Sequence, residues 1–176
     1  MLRDSSISFR ERVFVLLTMV MEPVMIMGLA GDIWYGENPV EIIALTFTVL
    51  VVPAITVVSV RKNKVYLAVR IIVLSLVLVL MPILFYFGGG LYGGGILWMI
   101  FAYLYTGLIL SGMWKPLMLV LLTVEAAVFY LHDYFYPELI YQHNNEVFHL
   151  DSFLALVMVG TVCCVMVWFE EWLLRE

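Results

Sequence analysis

The sequence predicts an all-α, polytopic membrane protein: a bundle of six transmembrane helices with both termini in the cytoplasm. Three observations carry this. Of the 176 residues, 64% are hydrophobic and only 13% charged, whereas a soluble domain is about half apolar and a quarter charged. Lipid must therefore be the solvent for most of the surface. Six apolar stretches also meet the requirement of roughly 20 helical residues that a bilayer core about 30 Å thick sets. Finally, all nine Lys and Arg residues can be placed on one side. They are Arg3, Arg10 and Arg12, then Arg61, Lys62, Lys64 and Arg70, then Lys115, then Arg175. Cations stay on the cytoplasmic side of an inserted chain, so this pattern sets the topology.

Residues 1–12 form a short cytoplasmic segment, and residues 13–169 hold the six crossings. The first, about Val13–Tyr35, is longer than a secretory signal core and lacks a small-x-small cleavage site, so it reads as a retained helix. The second, about Pro39–Val60, opens with Asn38 as N-cap, Pro39 at the first helical position and Glu41 at the third. Val65–Phe87 is the third and Gly95–Met113 the fourth. Gly112 ends that helix, and Pro116 opens the fifth, about Pro116–Tyr136. The sixth runs about Ser152–Phe169, with Asp151 placed to cap it. Short connectors make consecutive helices antiparallel neighbours. Pro23 and Pro53 lie within crossings and Pro82 near the outer end of the third, where each should loosen its helix. Trp34, Tyr35, Phe85, Tyr86, Phe87, Tyr92, Trp98, Tyr134 and Tyr136 gather at the outer boundary as an interfacial belt. Trp114, Trp168 and Trp172 do so at the inner one. No internal repeat is evident.

The residues exclude several functions. Cys163 and Cys164 are adjacent in an apolar run, where helix geometry points their side chains about 100° apart, so neither a disulfide framework nor a zinc site is indicated. No hydrolase triad, phosphate-binding loop or metal-chelating helix is present, and no basic patch suits nucleic acid. No catalytic residue, metal site or cofactor is expected in this chain.

Two outer loops are candidates for meeting a stimulus. Asp32, Glu37, Glu41, Asp133, Glu138, Glu146 and Asp151 make the outer side acidic. The longest connector, about Tyr136–Asp151, adds His143, Glu146 and His149, with His132 and Asp133 just before it. Imidazole and carboxylate suit a divalent metal or a response to acid, yet the spacing matches no strong metal motif, and a polar loop over the bundle is the plainer reading. The second loop is Gly88-Gly89-Gly90-Leu91-Tyr92-Gly93-Gly94-Gly95. Its glycines allow either a packed turn or a nest of amides for an anion.

Glu22 and Glu125 each lie about ten residues into a helix, near mid-bilayer at ~1.5 Å per residue. A carboxylate at that depth is costly and usually faces the bundle interior. Arg70 lies about one and a half turns into the third helix, and it can reach one of them or snorkel back to the cytoplasmic surface. The three are candidates for a structural ion pair or for an intramembrane switch.

Residues 170–176 continue the sixth helix. Phe169, Trp172, Leu173 and Glu176 recur at helical spacing, which fits either an amphipathic tail or the start of a cytoplasmic signalling helix. Several short motifs bear on this. They are Phe9-Arg10-Glu11-Arg12-Val13-Phe14, Gly36-Glu37-Asn38, and Pro82 through Gly90 with Gly93-Gly94-Gly95 and Trp98. Tyr136-Pro137-Glu138-Leu139, His143, and Asp151-Ser152-Phe153 leading through Val159-Gly160 complete the set. Together they resemble the multi-pass N-terminal sensor region of bacterial, Firmicutes-type histidine kinases, related to regions that precede diguanylate cyclase domains.

The resemblance implies a dimeric receptor in the bacterial plasma membrane. Its last helix and cytoplasmic extension would join two copies and drive a kinase core. The chain itself has no phosphoacceptor histidine motif, ATP-binding lobe or GGDEF-type segment, so kinase or cyclase activity would belong to other sequence. The expected function is a sensory input module responding to a small ligand or physical stimulus. The alternative from another class is a small solute-binding membrane subunit of a transporter, which also has about six helices at this length.

Overall fold

The computed structural model describes residues 9–141 and 145–174. Among these residues the chain is helical, without a strand, and forms six long helices and a short 3-10 turn at Pro137–Leu139. They are α1 (Phe9–Tyr35), α2 (Pro39–Arg61), α3 (Val65–Phe87), α4 (Gly95–Ile109), α5 (Trp114–Phe135) and α6 (Asn145–Leu174). Four of them are long and apolar enough to cross a membrane, over Arg12–Tyr35, Pro39–Arg61, Val65–Phe87 and Trp114–Phe135. α4 and the apolar stretch Ser152–Val165 of α6 are shorter.

The connectors explain the boundaries. The Asn38 side chain accepts the Val40 amide at 2.9 Å, and Pro39 follows in the first turn, where a missing N–H costs nothing. Asn63 takes the left-handed conformation (φ 52°) that closes α2, while Lys64 N–H donates to Ser59 at 2.8 Å. Between α4 and α5 the backbone turns extended at Leu110, so α4 stops at Ile109, four residues before the expected Met113. Pro116 lies in the first turn of α5 rather than at its first position.

α6 departs most from the sequence reading. It begins at Asn145, seven residues before Ser152, so Glu146, His149 and Asp151 belong to a helix and not to a loop or a cap. The physical reason is that no glycine or proline interrupts the chain from Asn145 to Val159. His143 lies outside the described residues, as do the side chains of Glu146, His149 and Asp151.

Helix α3 is the central one. Within its apolar window 39% of residues are buried, against 22% in α1 and 17% each in α2 and α5. Val69, Ile72, Val73, Val77, Met81, Leu84 and Phe85 supply one continuous stripe of the core. α3 packs on α1, α2, α4 and α5, and α4 packs on α1, α5 and α6 as well. Leu76–Leu80 is a single wide π turn, in which Met81 N–H donates to Leu76 five residues back. Pro82 accounts for it. Its ring has no N–H and crowds the carbonyl four residues earlier, and a wider turn relieves that contact.

The other helices leave large apolar side chains outward. Phe47, Leu50, Val120 and Val124 are all more than half exposed, a surface that suits lipid and not water. The expected aromatic belt divides. Trp34, Tyr92, Tyr134 and Tyr136 are exposed, whereas Phe85 is buried and Trp98 is partly buried against the core.

The connectors gather into two opposed ends. The Tyr141 amide donates to the Tyr86 carbonyl at 2.9 Å, and the Ser152 hydroxyl to the Tyr92 carbonyl at 3.4 Å. These bonds unite the turns after α3 and α5 as a glycine end, and Asn38 of the turn after α1 lines a common cleft with Tyr86 and Tyr141 there. At the other, the Arg70 guanidinium stands 4.7 Å from the Trp114 ring centre. That contact joins the turns carrying Arg61, Lys62, Lys64 and Lys115 as a basic end.

Candidate functional site

At the glycine end the bundle encloses a cavity of about 70 Å³ lined by five of the six helices. α1 contributes Gly28, Gly31, Asp32 and Tyr35, and α2 contributes Glu41 and Leu45. Leu76, Leu80, Met81 and Leu84 come from the π turn of α3 and the residues just after it. Trp98 and Phe101 come from α4, Leu154 and Met158 from α6. This volume accommodates a few waters or a small ion, since a water needs about 10–15 Å³ by this measure.

The mouth is acidic and the floor apolar. Asp32 is in the last turn of α1, Glu37 in the connector and Glu41 in the first turn of α2. Glu37 and Glu41 are buried at 9% and 8% exposure. All three carboxylates are engaged by contacts of their own. Read as a helix-start carboxylate, Glu41 could face water, but it instead turns inward beneath the glycine loop.

That inward turn explains Gly88. A Cβ at this position would lie 2.4 Å from the Leu84 carbonyl oxygen and 2.8 Å from Glu41 Oε1, so no side chain fits. Gly90 has φ +63°, and a Cβ there would stand 2.8 Å from Ile140 Cγ2 and 3.3 Å from Asp133 Oδ1. The loop is a packed turn. The amides of Gly88, Gly90 and Gly93 donate to the carbonyls of Leu84, Phe85 and Gly89. They are not offered to an anion, and the neighbouring Glu41 and Asp133 would repel one.

Beside the loop the ends of α3 and α5 are joined by aromatic contacts. Phe85 stacks on Phe129 with ring centres 4.2 Å apart and planes 3° from parallel, and Tyr86 meets Phe129 edge-on. The Tyr86 hydroxyl is hydrogen-bonded to His132 Nδ1. His132 thus joins two helix ends, and no group of His, Cys, Asp and Glu suited to a metal ion occurs among the described residues.

The three intramembrane candidates do not come together. Arg70 turns toward the basic end, with its guanidinium 3.9 Å from the Tyr66 ring centre, against the Trp114 ring and hydrogen-bonded to the Tyr66 hydroxyl. This is the snorkelling alternative, held by cation–π contact. Glu125 on α5 is partly buried, and its Oε2 has no hydrogen-bond partner among the described residues. Glu22 on α1 lines a separate apolar cleft.

Sequence reasoning missed the cavity, and with it the roles of Gly28, Trp98 and Met158. One signal was present. Gly28 and Gly31 place small residues one turn apart on α1, the usual means of admitting a neighbouring helix in lipid. The Met158 methyl of α6 lies 3.6 Å from where a Gly28 Cβ would be. No family model, curated protein or solved structure matches this chain.

Proposed function

We propose that this chain is the transmembrane sensory input module of a bacterial signalling protein, of the kind that precedes a histidine kinase core. It would cross the plasma membrane six times with both ends cytoplasmic, so the basic end faces the cytoplasm and the glycine end faces out. One observation carries the reading. The cavity brings residues of the π turn and of the last helix into one lining beneath the outward-facing loops. An event at that cavity is therefore felt directly by α6.

The dimensions of α6 support an outward-to-inward path. It has 30 residues, about 45 Å at ~1.5 Å per residue, against a hydrocarbon core of about 30 Å. Ser152 ties it to the glycine loop, and the helix from Ser152 to Leu174 is about 33 Å long at ~1.5 Å per residue, enough to reach the basic end. A stimulus would act by preferring one of two placements of α6 against α1 and α4. It can shift the balance only by its differential affinity for them. The π turn is a suitable compliant element, because its i→i+5 bonds can return to the regular pattern with a small rotation of one segment.

Two experiments test this. Single cysteines at Lys62 and Gly93, in a background without Cys163 and Cys164, should be labelled from opposite sides of sealed vesicles. Labelling of both from the same side contradicts the topology. In the second, α6 is joined in helical register to a histidine kinase core, and autophosphorylation is followed for Glu41→Gln and Met158→Trp. Output should change severalfold in at least one variant that still inserts. Unchanged output in both contradicts the signalling role.

A further inference from the structure

The π turn of α3 strips one main-chain carbonyl of its donors. Met81 N–H donates to Leu76, five residues back, where a regular helix would have it serve Val77. The next donor along the chain would be residue 82, which is proline and has no N–H. The Val77 carbonyl therefore loses the helical donors both four and five residues on. Val77 is also 0% exposed, so water does not replace them. Buried carbonyls in this condition are costly and rare.

Helix α5 packs directly on the π turn, and it carries a group that fits. Its buried Met118, Leu122 and Phe129 recur at helical spacing. Glu125 is three residues after Leu122 and four before Phe129, so it shares their face. That face meets α3, because Phe129 stacks on Phe85. The two helices run parallel, since Arg70 meets Trp114 at the basic end and the stacked rings lie at the other. Four residues back from the rings, Glu125 is level with Met81, and Val77 is about one turn lower, ~6 Å. Long side chains on a helix lean toward its N-terminus, here toward Val77. The Glu125 Oε2 is buried and has no hydrogen-bond partner among the described residues.

Other partners are further off. Thr123, the only other polar side chain from Met118 to Phe129, is exposed and donates to the Leu119 carbonyl. Arg70 rests on Trp114, eleven residues from Glu125 along α5, or roughly 16 Å. The Thr106 hydroxyl of α4 is buried and also lacks a partner, but α4 packs on α3 beyond the turn, at Met81–Phe87. A carboxylic acid has one O–H to donate, whereas a carboxylate only accepts and would repel a carbonyl oxygen. We infer that Glu125 acts as a neutral acid that donates its O–H to the Val77 carbonyl, a latch between α5 and the π turn that stands open in this structure. Closing it gives both buried groups a partner. The inference concerns α3 and α5 alone and does not depend on the signalling proposal.

The test is a double-mutant cycle read as unfolding of the chain in mixed micelles. Removing a buried polar group that has no role should strengthen the chain. Glu125→Leu should instead raise the unfolding equilibrium constant about threefold, the scale of an interhelical hydrogen bond in a membrane. Glu125→Gln retains a donor and should match the unaltered chain. In a Pro82→Ala background, where the restored N–H serves the turn, Glu125→Leu should no longer weaken the chain. A second readout needs no unfolding. The infrared band of the neutral carboxyl, assigned by its loss in Glu125→Gln, should move to higher frequency in Pro82→Ala as its hydrogen bond is lost. A stronger chain in Glu125→Leu, or an equal cost with and without Pro82, overturns the inference. So does loss of only a carboxylate band in Glu125→Gln, or coupling of Pro82→Ala to Thr106→Val in place of Glu125→Leu.

Discussion

The two ends of the bundle use their polar residues in opposite ways. At the basic end Arg61, Lys62 and Lys64 are exposed in a tight turn, and the partly buried Arg70 rests on aromatic rings. At the glycine end the carboxylates of Glu37 and Glu41 are buried, Gly88 closes on Glu41, and stacked rings and a Tyr–His bond join the ends of α3 and α5. One end anchors by charge at a surface, where any similar cation would serve. The other is a fitted assembly, where a single methyl group matters. Substitutions should therefore be tolerated at the first and costly at the second.

The largest effect should come from Phe129→Ala, which removes the ring that stacks on Phe85 and meets Tyr86. A loss of about 3 kcal/mol is expected, read as earlier unfolding in a detergent or lipid titration. Gly88→Ala should follow at about 2 kcal/mol, since its Cβ meets backbone at Leu84 and cannot be relieved by a rotamer change. If Gly88→Ala is neutral in the same titration, the close packing of Glu41 under the loop is wrong. Tyr86→Phe should cost about 1 kcal/mol by removing the bond to His132. At the opposite end, Trp114→Leu should cost less, about 0.5–1 kcal/mol, since only one of two cation–π contacts is lost. Lys62→Gln should lie within about 0.5 kcal/mol of the unaltered chain. A larger cost for Lys62→Gln than for Tyr86→Phe would erase the contrast between the ends.

The same contrast separates what could be read in the sequence from what could not. Connector chemistry was legible: Asn38 caps α2 ahead of Pro39, and the turn beyond Arg61 closes that helix. These signals depend on a few adjacent residues. Helix orientation was not legible, because both the lipid-facing and core-facing sides are apolar and the usual polar face is missing. Hence neither the central place of α3 nor the separation of Glu22, Arg70 and Glu125 could be foreseen. Glu41 was misleading for a related reason, since a carboxylate in a first helical turn looks the same whether it faces water or a cavity. The early start of α6 was hidden by Asp151-Ser152, which imitates a cap within a continuous helix. The glycine loop was read as open to two uses, and only the approach of Glu41, Asp133 and Ile140 distinguishes a packed turn from an anion nest.

The central claim is that the cavity couples the glycine end to the last helix. It is tested most directly by a distance between spin labels at Lys62→Cys and Trp168→Cys, in lipid nanodiscs, with Cys163 and Cys164 replaced by alanine. Gly28→Leu fills the space between α1 and the Met158 methyl. The account predicts that this substitution moves the 62–168 distance distribution by at least about 2 Å, the scale of helix shifts in switching proteins. An unchanged distribution in a chain that remains folded would contradict it.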